Sequence, residues 1–185
     1  MTDARWQRAH ARLTEAVLDL ASEQPVSALT VSAIASRAEV NRSTFYEHAP
    51  SASDLLQSVL RAELDDLRDQ YLTDVAPEAA VAAVSDVTRA VLDHCDRHAA
   101  VYRANLVDLR AMLSDHFQAS TLLLVEHDLL TLPLGADAVE SVARYVADGT
   151  VGVIAVWLAG PSPRSADDAL HLLSVLAPPW WPIEA

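Results

Sequence analysis

The run TVSAIASRAEVNRSTFYEHAPSASDLLQSVL, residues 30 to 60, is too short and too polar in its middle to form one continuous buried helix. Val31, Ile34, Ala35 and Ala38 share one face of a helix of about two turns, with Thr30 ahead of it as an N-cap. Asn41 is placed to cap a second helix, RSTFYEH, which Ala49-Pro50 ends because proline disfavours a helical conformation in the residue before it. Ser51 and Asp54 resemble a capping box, with Asp in place of Glu or Gln, and open a longer helix over about 52 to 73. The order is helix, tight turn, helix, long connector. Two short helices so joined are the unit that sets its second helix in the DNA major groove, although an ordinary helical hairpin with a solvated face has the same spacing. Val31, Ile34, Ala35, Val40 and Phe45 can pack the pair together, which leaves Arg42, Ser43, Thr44, Tyr46 and His48 as the polar set of the second helix. Arginine can bridge guanine O6 and N7, Ser and Thr can donate to bases or phosphates, and a tyrosine hydroxyl suits a phosphate.

Composition narrows the fold. With 185 residues, 51% of them hydrophobic, and only four glycines, the chain reads as all-α, with a core large enough for one domain or for a small domain fused to a larger one. A single cysteine, Cys95, excludes an intramolecular disulfide, and the N-terminal MTDARWQRAHARL lacks a secretory apolar stretch, so a reducing cytoplasm is expected. The longest apolar stretches, such as VGVIAVWLAG, are about half the roughly 20 residues that cross a bilayer, and no membrane span or membrane partner is expected. All 13 basic residues are arginine and the net charge is -13, which excludes a general polyanion binder. The imbalance is uneven: residues 1 to 60 hold five arginines against seven acids, residues 61 to 185 eight against nineteen. Any contact with nucleic acid therefore belongs to the N-terminal third, with weak non-specific attraction.

The same segment, together with a first helix over about 4 to 24 carrying Trp6, Ala9, Leu13, Val17 and Leu20, resembles the DNA-binding segment of the tetracycline-repressor (TetR) family. That pattern starts Thr-Val-x-x-Ile-Ala, turns at Ala-Gly-Val-Ser, has a Thr-Phe-Tyr core and leaves through Phe-Pro-Ser-Lys-x-x-Leu; here Thr44-Phe45-Tyr46 and Pro50-Ser51 are in register. The resemblance implies a DNA-facing set of Thr30, Asn41, Arg42, Ser43, Thr44, Tyr46 and His48, with Arg42 to Thr44 toward bases and Tyr46 and His48 toward phosphates. Three positions depart from the pattern. Glu39 replaces the turn glycine, so it either adopts a left-handed conformation at a cost of roughly 1 kcal/mol or shifts the turn. Ala49 stands for the aromatic of the exit, and Ala52 for its phosphate-binding lysine.

By the same resemblance, residues 1–50 form a DNA-binding domain and 51–185 a helical domain that dimerises and holds a small-molecule effector. Helices are expected at about 78–98, 100–106, 108–131, 136–159 and 165–177, with a break at Val107-Asp108. Val142, Val146, Gly149, Val153 and Trp157 form one stripe, and Leu173 and Leu176 lie on the last helix; a four-helix homodimer interface is expected there, packing within one chain being the alternative. Tyr71, Cys95, Tyr102, Met112, His116, Phe117 and Tyr145 are the candidate effector residues, in a pocket expected to be mostly apolar. His94 and His98 have the i, i+4 spacing of two metal ligands, but that spacing fixes no further ligand, and the expectation is a decorated helix end with no metal and no cofactor. No Gly-x-Ser-x-Gly, phosphate loop or glycine-rich dinucleotide turn is present. The reading is a homodimeric, ligand-responsive repressor of a double-stranded DNA operator and not an enzyme. The alternatives are an accessory protein that has lost strong DNA binding, or a cofactor-free helical catalyst.

Overall fold

A computed structural model describes residues 2–184, and among them the regular structure is entirely helical. The helices are α1 (Thr2–Glu23), α2 (Val31–Arg37), α3 (Arg42–His48), α4 (Ala52–Leu72), α5 (Ala80–Arg97), α6 (Ala99–Glu126), α7 (Val139–Ala159) and α8 (Ala166–Leu176). Short 3-10 turns lie at Val26–Ala28, Pro77–Ala79 and Ala136–Ala138. The chain forms two compact units, one of residues up to Ala62 with His98–Leu109, the other of Glu63–Arg97 with Arg110 onward. The expected division at 50/51 is thus not where compactness changes: α4 and α6 each contribute to both units.

In the first unit the apolar stripe of α1, Leu13, Val17 and Ala21, is fully buried with Ile34 of α2, Phe45 of α3 and Leu55, Leu56 and Leu60 of α4. Asn105 of α6, also fully buried, joins this core by polar contacts. Its Oδ1 accepts from the Val26 N–H at 2.5 Å, and its Nδ2 donates to the carbonyls of Ala21 (2.9 Å) and Val101 (2.8 Å). A buried amide so satisfied ties down the end of α1 and the turn that follows it, groups that would otherwise be desolvated without partners.

In the second unit α5, α7 and α8 pack on one another. Helix α7 buries Val142, Ala143, Ala147, Val151, Ile154 and Leu158. It is 21 residues long with a mean hydropathy of 1.4, so by length and composition it could cross a bilayer, contrary to the expectation from its VGVIAVWLAG portion alone. That apolarity supplies the packed face just named. A second difference is α6, which is unbroken through Val107-Asp108. Neither residue is a proline or glycine, and Asp lowers helix propensity by only about 0.7 kcal/mol, too little to stop a helix with packed residues on both sides. Helix α6 ends instead at Glu126, and Asp128 beyond it holds a left-handed φ of 57° that lets the Leu129 N–H reach the Leu124 carbonyl at 2.8 Å.

After α8 the chain runs without helix through Ala177–Glu184. Trp180, Trp181 and Ile183 pack against a cluster of Leu72, Ala80, Val84, Leu124, Leu129 and Leu130. The Glu184 N–H donates to Ser85 Oγ of α5 at 2.8 Å.

Candidate DNA interface and effector cavity

The α2–α3 turn is built from main-chain geometry. Glu39 holds φ at 52°, in the left-handed region, while its N–H donates to the Ser36 carbonyl (3.2 Å) and the Val40 N–H to the Ala35 carbonyl (3.0 Å). This is the Schellman arrangement usually given to glycine. Of the two outcomes open for Glu39 in the sequence, the chain takes the left-handed one and keeps the turn. The Glu39 carboxylate is exposed and lies 3.7 Å from Arg12 Nη1.

Both short helices are capped by side chains. Thr30 Oγ1 accepts from the Ala33 N–H at 3.1 Å, and Asn41 Oδ1 accepts from the Thr44 N–H at 2.8 Å and from Ser43 Oγ at 2.6 Å. An exposed Arg37–Asp19 pair at 2.6 Å joins α2 to α1. With Phe45 fully buried, α3 leaves Asn41, Arg42 and Ser43 exposed at its start, Thr44 half-buried, and Tyr46 52% exposed.

His48 is placed differently from the rest of the DNA-facing set. Its ring lies 4.6 Å from that of Trp6 and 5.5 Å from that of His10, and neither of its nitrogens has a hydrogen-bond partner. Burial, and then the neighbouring His10, hold its imidazole below the ordinary value of 6.5. The His48 ring is packed against α1 and biased toward the neutral form, apart from the exposed Arg42, Ser43 and Tyr46 of the expected DNA-facing set. Ala52, at the position of the missing lysine, is buried.

The second unit contains a cavity of about 310 Å³. Leu72, residues of α5, α6, α7 and α8, and the tail residues Ala177, Pro178, Trp181 and Ile183 line it. Of the seven effector candidates, His116, Phe117 and Tyr145 reach it, while Cys95, Tyr102 and Met112 are buried core and Tyr71 is half-buried elsewhere. His116 is buried, with Nδ1 3.0 Å from Asp65 Oδ1, and Asp65 in turn lies 2.9 Å from Arg68. Asp65, Thr88 and Trp181 were not marked by sequence; only their placement identifies them. His94 is also buried, its Nδ1 3.3 Å from Glu63 Oε2, rather than decorating an exposed helix end.

Part of the stripe expected at a dimer interface borders the cavity. Val142 and Leu173 are buried, Val146, Gly149, Val153, Leu173 and Leu176 line the cavity, and Trp157 donates Nε1–H to the Ser165 carbonyl at 3.1 Å with Arg164 over its ring. Helix α7 exposes Tyr145, Gly149 and Val156, with Gly152 half-buried, and α8 exposes Leu172, Val175 and Leu176. A Cβ built on Gly149 or Gly152 meets nothing within 4 Å. The exposed positions of α7 coincide only partly with the expected stripe, because burial divides α7 by its contacts with α5 and α8 and not by hydrophobicity alone.

Residues 13–59 match the family model described as bacterial regulatory proteins, tetR family. Nothing among curated proteins matches the sequence. Among solved structures, a tetR-family transcriptional regulator from Streptomyces coelicolor is 22% identical, with a TM-score of 0.63 over 90% of this chain and 78% of that one. A TetR transcriptional regulator from Streptococcus agalactiae 2603V is 18% identical, with a TM-score of 0.67 over 96% and 98%. The regulator FadR from Bacillus subtilis, solved with stearoyl-CoA, is 16% identical, with a TM-score of 0.57 over 88% and 96%. At these identities the structural likeness is one of fold, while the matched segment is the capped and turned helix pair just described. Residues 13–59 thus match the DNA-binding segment of the tetR family, and the chain as a whole has a fold similar to that of solved TetR regulators.

Proposed function

We propose that the chain is a homodimeric transcriptional repressor that leaves its operator when a small, mostly apolar effector enters the cavity of the second unit. One observation carries the reading: a rigidly capped α3 presents Arg42, Ser43 and Tyr46 to solvent, and the same chain holds a preformed apolar cavity. In the dimer the two α3 helices stand about 34 Å apart, one turn of DNA, and effector binding favours a spacing that no longer fits. The exposed Tyr145, Gly149 and Val156 of α7, with Leu172 and Val175 of α8, supply the self-association face. A site with this division of labour has no need of catalysis, and it operates where DNA is found.

The test is footprinting of promoter DNA by the purified protein, starting with the region beside its own gene. On the protected site, Arg42→Ala should cost about 1 to 3 kcal/mol and relax preference at one position, whereas Tyr46→Phe should weaken all sequences alike. Equal, sequence-independent losses would remove Arg42 from base reading. A second reading, a family member without strong DNA binding, is favoured by the exposed Glu39 carboxylate at the turn and by the net charge of -13. Absence of any protected site at low salt would select it.

A further inference from the structure

The cavity of the second unit is not closed on every side. Among its lining residues Tyr145, Gly149 and Leu176 are exposed, Tyr145 by 68% and Leu176 by 59%, while the others are buried or half-buried. These three mark a mouth bounded by α7 and the end of α8. Gly149 has no side chain to cover it, and a Cβ built there meets only open space. An apolar ligand in the cavity therefore keeps part of its surface in water, and forgoes the hydrophobic gain from that part.

The mouth belongs to the exposed apolar face of the same two helices. Tyr145, Gly149 and Val156 fall on one side of α7 at spacings of four and seven, and Leu172, Val175 and Leu176 on one side of α8. None of the six is charged. The charged residues beside the mouth on α7 are engaged with α6: Arg144 Nη2 lies 3.3 Å from Asp115 Oδ1, and Asp148 accepts from Ser114 Oγ. Covering the mouth therefore strands neither charge. Charge also limits what can cover it. A basic partner is drawn to the acidic surface of a chain that carries -13, whereas an uncharged apolar face is where two copies of so acidic a chain meet with least repulsion. Two helices meeting their own copy about a two-fold axis make a four-helix contact.

We infer that the cavity is completed by a second copy of the chain, whose α7–α8 face lies over the mouth, and that effector binding and dimerisation strengthen each other. The added wall is apolar, supplied by Val156, Leu172 and Val175 of the second copy, residues that do not line the cavity of their own subunit. The two-fold relation closes both cavities at once. The coupling is reciprocal: the factor that the dimer adds to effector affinity is the factor that bound effector returns to the dimer. Effector then leaves a tighter dimer, so release from DNA proceeds by a change of spacing and not by separation of the subunits. The inference rests on the readings of this cavity as the effector site and of this face as the self-association face, and adds the dependence of one on the other.

The probe for the test is N-phenyl-1-naphthylamine, an uncharged apolar fluorophore, and the dimer is followed by sedimentation equilibrium of the full chain. Probe affinity should be about tenfold or more tighter at protein concentrations where the chain is dimeric than where dilution has made it monomeric. Saturating probe should lower the dimer dissociation constant by the product of the gains at two sites, about a hundredfold. Val156→Glu alters the face and not the lining, and should give a folded monomer with the weaker probe affinity of the dilute parent. Should that variant not fold by circular dichroism, the dilution series of the parent decides alone. Equal probe affinity in monomer and dimer would overturn the inference and leave both readings beneath it standing. Dissociation of the dimer by the probe would overturn it in sign. A folded Val156→Glu that stays dimeric with unaltered probe affinity would move the self-association face elsewhere, and absence of probe binding at every concentration would remove the cavity as the effector site; each takes the inference with it.

Discussion

Glu39 shows how far a single side chain can be read from sequence. Its departure from glycine was visible, but the choice between a strained turn and a shifted one depends on whether the Val40 N–H keeps the Ala35 carbonyl, which no spacing reveals. Because its φ of 52° is one that side chains with a Cβ avoid, Glu39→Gly should stabilise the chain by about 1 kcal/mol, read as a higher urea midpoint at unchanged slope. The same change removes a carboxylate beside α3, so it should also tighten DNA binding. His48 illustrates the opposite case: its position in the pattern suggested a phosphate contact, whereas Trp6 and His10, four residues apart on α1, claim it by stacking. Its folded value lies below 6.5, so the unfolded chain binds the proton more readily. This site therefore has no effect on stability well above pH 6.5, and stability is lost as pH falls through that value toward the folded one. His48→Phe should flatten the decline of melting temperature between about pH 7 and pH 5 relative to the parent chain. An unchanged decline would mean that other groups set it.

At the scale of elements, the helices of the first half were legible because capping residues and proline mark their ends, as Thr30, Asn41 and Pro50 do. Helices α6 and α7 are apolar on more than one side, so hydrophobicity fixes that they are buried but not which side faces what. Gly149 both borders the cavity and faces open space, which hydrophobicity alone does not reveal. The distinction is testable on two valines one turn apart. Val156, 76% exposed, should accept Glu without loss of helicity, and Val156→Glu should convert a dimer to a folded monomer in light scattering. Val153→Glu should instead leave the oligomeric state alone and abolish probe binding, since a buried carboxylate would be turned into the cavity. Reversal of the two outcomes would return the interface to the stripe read from the sequence.

For the whole molecule, the all-helical class and the N-terminal DNA-binding segment were available from composition and motif. The joining of residues 98–109 to the first unit was not. It depends on Asn105, an amide in an otherwise unremarked helix, whose partners lie 79 and 84 residues away in sequence. The cavity was likewise only partly legible, because its walls come from six stretches of chain and one of them, the tail from Ala177 to Ile183, has no periodicity to read. That tail has a kinetic consequence. The helical walls are closed by repeating main-chain bonds, whereas the tail rests on ring packing, the Glu184 N–H to Ser85 Oγ bond and two turn bonds, Trp181 N–H to Pro178 and Ile183 N–H to Trp181. The least costly opening in the enclosure is therefore local release of the tail. Trp181→Ala should raise the rates of ligand entry and exit together in stopped flow, by more than it changes the dissociation constant, and leave the urea midpoint close to that of the parent. On this view the residues after α8 set how quickly the protein can answer a change in effector concentration, while the helices set how much effector it takes.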